Sequence, residues 1–173
     1  MSESIKPSVQ PDLGALFRDG MSRIAATVHL ITTDGPAGRA GLTATAVTSL
    51  SADPPMLLVC IKIGGNSAPV LLENGVFAVN ALAGDQANLA DIFAGRGGIK
   101  GAARFSTGTW DTLATGAPVL SDAPVIFDCR LVEVHDIATH HVIVGKVEAI
   151  HFGPTRPGLL YLDRTLGSAD DPV

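Results

Sequence analysis

The sequence predicts a small antiparallel β-barrel carrying a few helices. Strand-like runs outnumber helical ones, and two long strand-like runs near the C-terminal end are close enough to form a hairpin. The regular alternation of strand and helix that builds parallel sheets is missing. The 173 residues suit one domain with a real core, and a 46% hydrophobic content against 17% charged residues excludes a disordered chain. The expected organisation is a flexible N-terminal arm over 1–11, one domain over 12–166 and a short C-terminal tail over 167–173.

Each element has a local reason. Asp12 is a reasonable N-cap, and Leu13, Leu16, Phe17, Met21 and Ile24 recur at helical spacing, so a helix is predicted from Asp12 to Ile24. Thr27 to Thr33 is rich in β-branched residues and closes in Thr-Asp-Gly-Pro, a strand followed by a turn. A second strand is expected through Gly41 to Leu50. Asp53-Pro54-Pro55 cannot sit inside a central strand, and the apolar run from Met56 to Ile61 beyond it has the length of a buried one.

Ser67 is expected to cap a short helix through Leu72, with Pro69 tolerated in the first turn and Gly75 just past the end. Val76 to Leu82 returns to strand chemistry. Asp85 then opens a helix whose apolar positions are Leu89, Ile92 and Phe93, and Ala94 to Gly101 is a glycine-rich loop. A turn-rich passage around Gly116-Ala117-Pro118 leads into the paired runs, Val125 to Val134 and His141 to Phe152.

Charge and composition narrow the function. Twelve basic against seventeen acidic residues give a net charge of −5, which argues against a nucleic-acid partner. The first residues lack an apolar signal core, and the longest apolar run is far short of a bilayer span, so a cytoplasmic protein with no membrane contact is expected. Cys60 and Cys129 both lie in apolar runs and read as buried thiols; a disulfide between them is poorly supported. No metal is expected, because His140 and His141 point to opposite faces of an extended segment and cannot share an ion with His135.

Three segments bear on ligands. Gly95 to Gly101 lacks the spacing and context of a Walker loop and reads as a mobile surface loop able to act as a lid. Lys62-Ile63-Gly64-Gly65-Asn66-Ser67 joins a strand to a helix start, where free amides, one ammonium and the donors of Asn66 and Ser67 suit a phosphate. An ordinary strand-to-helix turn with a serine cap fits the same residues, and both readings stand. Gly41-Leu42-Thr43-Ala44-Thr45-Ala46-Val47-Thr48-Ser49 combines small side chains with hydroxyls, which lets a flat ring lie against the backbone; a plain Thr-rich strand is the alternative. His140 is either a surface histidine or a donor and titrating group.

In order along the chain, Thr32-Thr33-Asp34-Gly35, Gly41-Leu42-Thr43-Ala44-Thr45-Ala46, Ser51-Ala52-Asp53-Pro54-Pro55 and Phe77-Ala78-Val79-Asn80-Ala81-Leu82 resemble the short-chain flavin reductases. Arg104-Phe105 with Trp110, Thr115 to Leu120, Cys129 to Val134 and Thr139 to Val147 continue the resemblance, which spans Phe17 to Tyr161. It implies an FMN-binding split β-barrel, antiparallel and Greek-key-like, usually a homodimer with flavin near the subunit interface. By position, Thr43 to Ala46 would meet the isoalloxazine of FMN, or of FAD. Lys62, Gly64, Gly65, Asn66 and Ser67 would hold the phosphate, and His140 would lie near the nicotinamide of NADH or NADPH. Family members often carry Ser-Ser where this chain has Gly64-Gly65, which shifts the load to backbone amides and Lys62. The basic and aromatic residues that follow the family's last strand are reduced to Tyr161 and Arg164.

The implied activity is hydride transfer from nicotinamide to flavin, with the cofactors supplying the redox chemistry. Two acceptors fit the resemblance: a two-component aromatic monooxygenase of the 4-hydroxyphenylacetate type that receives reduced flavin, or a corrinoid, cob(II)yrinic acid a,c-diamide, reduced during cobalamin synthesis. A non-catalytic flavin-binding protein on the same barrel is the alternative of another class.

Overall fold

The computed structural model describes residues 12–170; the expected N-terminal arm over 1–11 lies outside the described residues, as does the end of the expected tail, 171–173. The first helix, α1 (Leu13–Ser22), starts where Asp12 Oδ1 accepts the amide of Ala15 at 3.1 Å. After it come β1 (Ala26–Thr27), β2 (His29–Thr33), β3 (Ala40–Ala44), β4 (Val47–Ala52) and β5 (Pro55–Lys62). The chain continues through α2 (Ser67–Asn74), β6 (Val76–Ala81) and α3 (Ala87–Phe93). Two short strands, β7 (Trp110–Thr112) and β8 (Pro118–Leu120), precede the long pair β9 (Val125–Ile137) and β10 (His140–Phe152), and β11 (Leu159–Leu162) and β12 (Thr165–Ser168) close the chain. β12 runs past 166, the expected end of the domain.

Seven antiparallel strands form the main sheet in the order β3-β2-β6-β9-β10-β5-β4. Side chains from both ends of this order, Ala44 on β3 and Leu57 and Val59 on β5, enter one core with Ile31, Phe77 and Ile143. The sheet therefore curls on itself, yet the edge strands β3 and β4 do not pair, so the barrel stays split. A second core packs α3 and the β7–β8 hairpin on the other face, around Leu30, Phe93, Phe105, Leu120 and Ile126. Period-2 alternation sends Leu30 and Ile31 of one strand into different cores, which is why β2 is buried along its whole length.

Buried polar groups lock β8 onto this frame. The Asn80 carboxamide donates to the Leu30 carbonyl at 3.1 Å and to Thr32 Oγ1 at 3.0 Å, and accepts the Leu120 amide at 2.8 Å. Thr32 in turn donates to the Pro118 carbonyl at 2.5 Å. Such satisfied networks hold only one arrangement of the strands they join.

Several expectations need correction. The expected strand Gly41 to Leu50 is two strands at opposite edges of the sheet: the chain turns at Thr45-Ala46, where the Val47 amide donates to the Thr45 carbonyl at 3.0 Å. Thr27 to Thr33 likewise divides at Val28, because β1 pairs with β11 while β2 pairs with β3 and β6. The run Met56 to Ile61 is buried on one face only, at Leu57, Val59 and Ile61. Cys60 is accordingly half-buried and Cys129 buried, and both are free thiols; burial, aided by the neighbouring charge of Asp128, pushes Cys129 up to about 12. A 3₁₀ turn, Gly84–Gln86, precedes α3 instead of a helix beginning at Asp85. β7, β8, β11 and β12 are too short to leave a sequence signal.

Candidate functional site

The segment that joins β5 to α2 turns through Gly64, whose φ of 86° favours glycine. The Ile63 amide donates to the Thr139 carbonyl at 2.9 Å, fastening this turn to the tip of the β9–β10 hairpin. At the other end of α2, Gly75 adopts the left-handed conformation and its amide reaches the Leu71 carbonyl at 3.0 Å. The expected serine cap is corrected: Asn66 is the N-cap and makes no capping hydrogen bond, while Ser67 Oγ donates to the Gly41 carbonyl at 2.9 Å. The single hydroxyl proton of Ser67 is thus committed to β3. The amides that open α2 still lack acceptors within the helix.

A cavity of about 230 Å³ lies between β3 and this turn, lined by Thr43, Lys62, Gly65, Asn66, Ser67 and Arg104. Arg104 was absent from the sequence-derived site. Its guanidinium donates through Nη1 to the carbonyls of Gly41 at 2.9 Å and Phe93 at 3.1 Å, and through Nε to that of Ile99 at 3.1 Å. One arginine therefore ties β3, the end of α3 and the glycine-rich loop together beside the cavity. Its partners lie up to 63 residues away, so no local pattern marks its position, although it stands in the Arg104-Phe105 pair quoted above. Gly41 is small for a related reason: a Cβ there would stand 2.6 Å from Cε1 of Phe93.

Thr43 donates its hydroxyl proton to the Ala90 carbonyl at 2.6 Å, which holds α3 against β3. Together with Thr45, it also lines a second cavity of about 180 Å³ with Ala94, Arg96, Tyr161 and Leu166. The two cavities share Thr43 and Ala94, so they flank one stretch of β3. Ala44 points into the barrel core, and the Ala46 carbonyl accepts the Cys60 amide at 3.0 Å. Neither alanine lines these cavities, and neither does Gly64. Arg164 pairs with Asp19 at 3.2 Å, away from both.

His140 begins β10 directly opposite Lys62 of β5. Its ring is exposed, lies within hydrogen-bond distance of Thr139 Oγ1 at 2.9 Å, and lines neither cavity. His141 faces Asp136 at 2.5 Å and His135 faces Glu133 at 2.9 Å. No group of three His, Cys, Asp or Glu among the described residues gathers to hold an ion.

Electrostatics single out the β3 cavity. Lys62 and Arg104 both line it, no carboxylate does, and neither cation enters an ion pair among the described residues. The larger cavity, about 500 Å³, contrasts with it, since its Arg156 is already paired with Asp85 at 3.0 Å and Asp122 at 3.6 Å. Two unpaired cations, helix-opening amides and an unengaged Asn66 carboxamide form a donor set that fits a phosphate monoester. The small-residue strand beside it fits a flat ring.

Known proteins share this architecture. The model of the flavin reductase like domain matches residues 21–170. The FMN reductase (NADH) RutF of Methylorubrum populi is 46% identical over 164 residues, covering 95% of this chain and 80% of its own length. BorF, the flavin reductase component of a bacterial two-component tryptophan halogenase, superposes with a TM-score of 0.83 at 31% identity, over 91% of this chain and 99% of its own. The NADH:FAD oxidoreductase SgcE6 of Streptomyces globisporus gives a TM-score of 0.82 at 25% identity, over 93% and 96%. Among the described residues no helix is long and apolar enough to cross a membrane.

Proposed function

Because this chain belongs to the flavin reductase-like family, we propose that its β3 cavity holds the phosphate of FMN while the isoalloxazine lies along Thr43 to Ala46. The protein is an oxidoreductase that uses NADH to reduce flavin. The observation that carries the assignment of the site is the pair of unpaired cations, Lys62 and Arg104, around one acid-free cavity. Lys62, the amides opening α2 and the Asn66 carboxamide hold the phosphate. Gly64 and Gly65 let the backbone approach it, and Ser67 acts through its bond to Gly41. FAD fits the same reading through the phosphate nearest its ring, which belongs to a pyrophosphate and carries less charge than the FMN monoester.

When bound, FMN supplies a ring that accepts the hydride of NADH. The chain's own residues supply position. Thr43 fixes α3 against β3, and Arg104 fixes the glycine-rich loop to the same carbonyl that Ser67 holds. His140, placed opposite Lys62 at the hairpin tip, would help to hold the nicotinamide. Homodimerisation belongs to the same proposal.

The reduced flavin goes to a separate acceptor enzyme. That reading draws support from neighbours that are themselves components of two-component systems, a tryptophan halogenase and a nitrilotriacetate monooxygenase. An aromatic hydroxylase of the 4-hydroxyphenylacetate type is one such acceptor; no feature of the site favours the corrinoid alternative.

An anaerobic absorbance spectrum with FMN, before and after NADH, tests the reading. Bleaching of the flavin band on the catalytic timescale supports it. Tight binding without bleaching by NADH or NADPH would leave only a flavin-binding module.

A further inference from the structure

The glycine-rich loop that follows α3 combines conformational freedom with a firm attachment at one guanidinium. Gly95, Gly97, Gly98 and Gly101 all adopt positive φ, between 55° and 86°, a region open to glycine, so the backbone swings there at little steric cost. Arg96 and Lys100 between them are exposed. The Arg96 pair with Asp91 at 2.7 Å is exposed as well, and ties the loop only to the helix just before it. The firm attachment is Arg104. Its Nε donates to the Ile99 carbonyl at 3.1 Å, and a Cβ at Gly95 would stand 3.3 Å from its Nη2, so both ends of the loop meet the same group. Through Nη1 that group also holds the Gly41 carbonyl of β3 and the Phe93 carbonyl of α3.

Arg104 lines the acid-free β3 cavity too. Its bonds from Nε and Nη1 go to neutral carbonyls, which satisfy N–H donors and leave the positive charge uncompensated. A half-buried charge of this kind draws an anion. An anion that settles beside it fixes the plane of a guanidinium that already carries the loop. Ser67, the first residue of α2, makes the same link from the other side, since its hydroxyl donates to the Gly41 carbonyl that Arg104 holds. Cavity and loop therefore share one set of bonds.

We infer that Arg104 is a positioning residue that couples phosphate occupancy of the β3 cavity to closure of the glycine-rich loop. With a phosphate monoester in place the guanidinium holds residues 95–101 against β3, and without it the loop opens about its glycines. The inference rests on the phosphate reading above. Coupling is reciprocal, so closure tightens the hold on the phosphate by the same factor as the phosphate favours closure. Opening of the loop then governs departure of the flavin, the step that delivery to a separate acceptor requires.

Trypsin probes the loop directly, because it cleaves after Arg96 and Lys100 and the rate of nicking there follows the population of the open loop. On the full chain, with cleavage read by mass spectrometry, saturating FMN should slow nicking at both sites about tenfold, while saturating riboflavin should leave it within about twofold. Arg104→Gln, checked for folding by circular dichroism, should still bind FMN through Lys62 and the α2 amides but lose the protection. Stopped-flow fluorescence should show FMN leaving this variant faster than the wild type, with riboflavin release unchanged. Equal protection by the two flavins in the wild type overturns the coupling, because the ring would then cover the loop. FMN binding that leaves nicking unchanged overturns it too, as does protection that persists in folded Arg104→Gln. In each of these cases tighter binding of FMN than of riboflavin preserves the phosphate site, whereas equal binding of the two fails the site itself. Should Arg104→Gln not fold, the wild-type comparison of the two flavins decides, since it needs no variant.

Discussion

Replacing Lys62 by Met keeps most of the length of the side chain and removes the ammonium, its charge and its donors together, so it tests the attraction for phosphate. Lys62 is exposed at the end of β5, which places its interaction near the aqueous limit. Two unit charges about 4 Å apart gain about 1 kcal/mol in water and about 4 kcal/mol at a protein-surface dielectric. A phosphate of nearly two charges therefore gains about 2 kcal/mol from this ammonium, and its loss should raise the Kd of FMN about 30-fold. The assay is quenching of flavin fluorescence, run in parallel with riboflavin, which has the same ring and no phosphate. Riboflavin affinity should stay within about twofold. The FMN effect should shrink as salt rises from about 0.01 M to 1 M and the screening length falls to about 3 Å. An equal loss for FMN and riboflavin would refute the reasoning, because the change would then act on the ring or on the fold. An unchanged FMN affinity would refute it as well, by removing Lys62 from the phosphate.

Other perturbations test separate parts of the structure. His140→Ala should raise KM for NADH about tenfold, equivalent to about 1.4 kcal/mol, and leave FMN affinity unchanged, because the ring lies outside both β3 cavities; steady-state kinetics checks this. Asn80→Ala removes a buried carboxamide with three partners and takes from the Leu120 amide the acceptor it has in Asn80, so urea unfolding should show a loss of about 3 kcal/mol. Burial holds the His29 imidazole below its ordinary value of 6.5, so the unfolded chain takes up the proton first. The stability this confers is complete above about pH 6.5 and is lost as pH falls through the lower folded value. Urea midpoints measured from pH 8 to pH 5 should drop in the wild type and drop less in His29→Gln.

The chain's local punctuation was legible before any coordinates. Asp12 starts α1 and Gly75 ends α2, because capping and left-handed turns depend on residues within a few positions of one another. The β9–β10 hairpin announced itself through two long β-rich runs separated by little chain. The β5–α2 turn, proposed above to hold a phosphate, carries its cation, glycines and helix start consecutively, so its composition is legible in the sequence. All of these are signals in which neighbours along the chain are neighbours in space.

Tertiary pairing decided the rest. Gly41 to Leu50 carries one composition throughout, yet the segment divides because β3 finds β2 while β4 finds β5 on the far edge of the sheet. The expected cap at Ser67 became a brace because Gly41, 26 residues away, presents a carbonyl to it. Arg104 entered the site only through three backbone carbonyls gathered from β3, α3 and the loop beyond it. The outward face of α1 had the same periodicity as a core-facing helix, and only its polar attachment to the β11–β12 turn showed which way it points. Residue order determines backbone preference and where apolar side chains recur, since both act over a few residues. Which strand pairs with which, and which distant groups surround one cavity, follow from packing the whole chain at once.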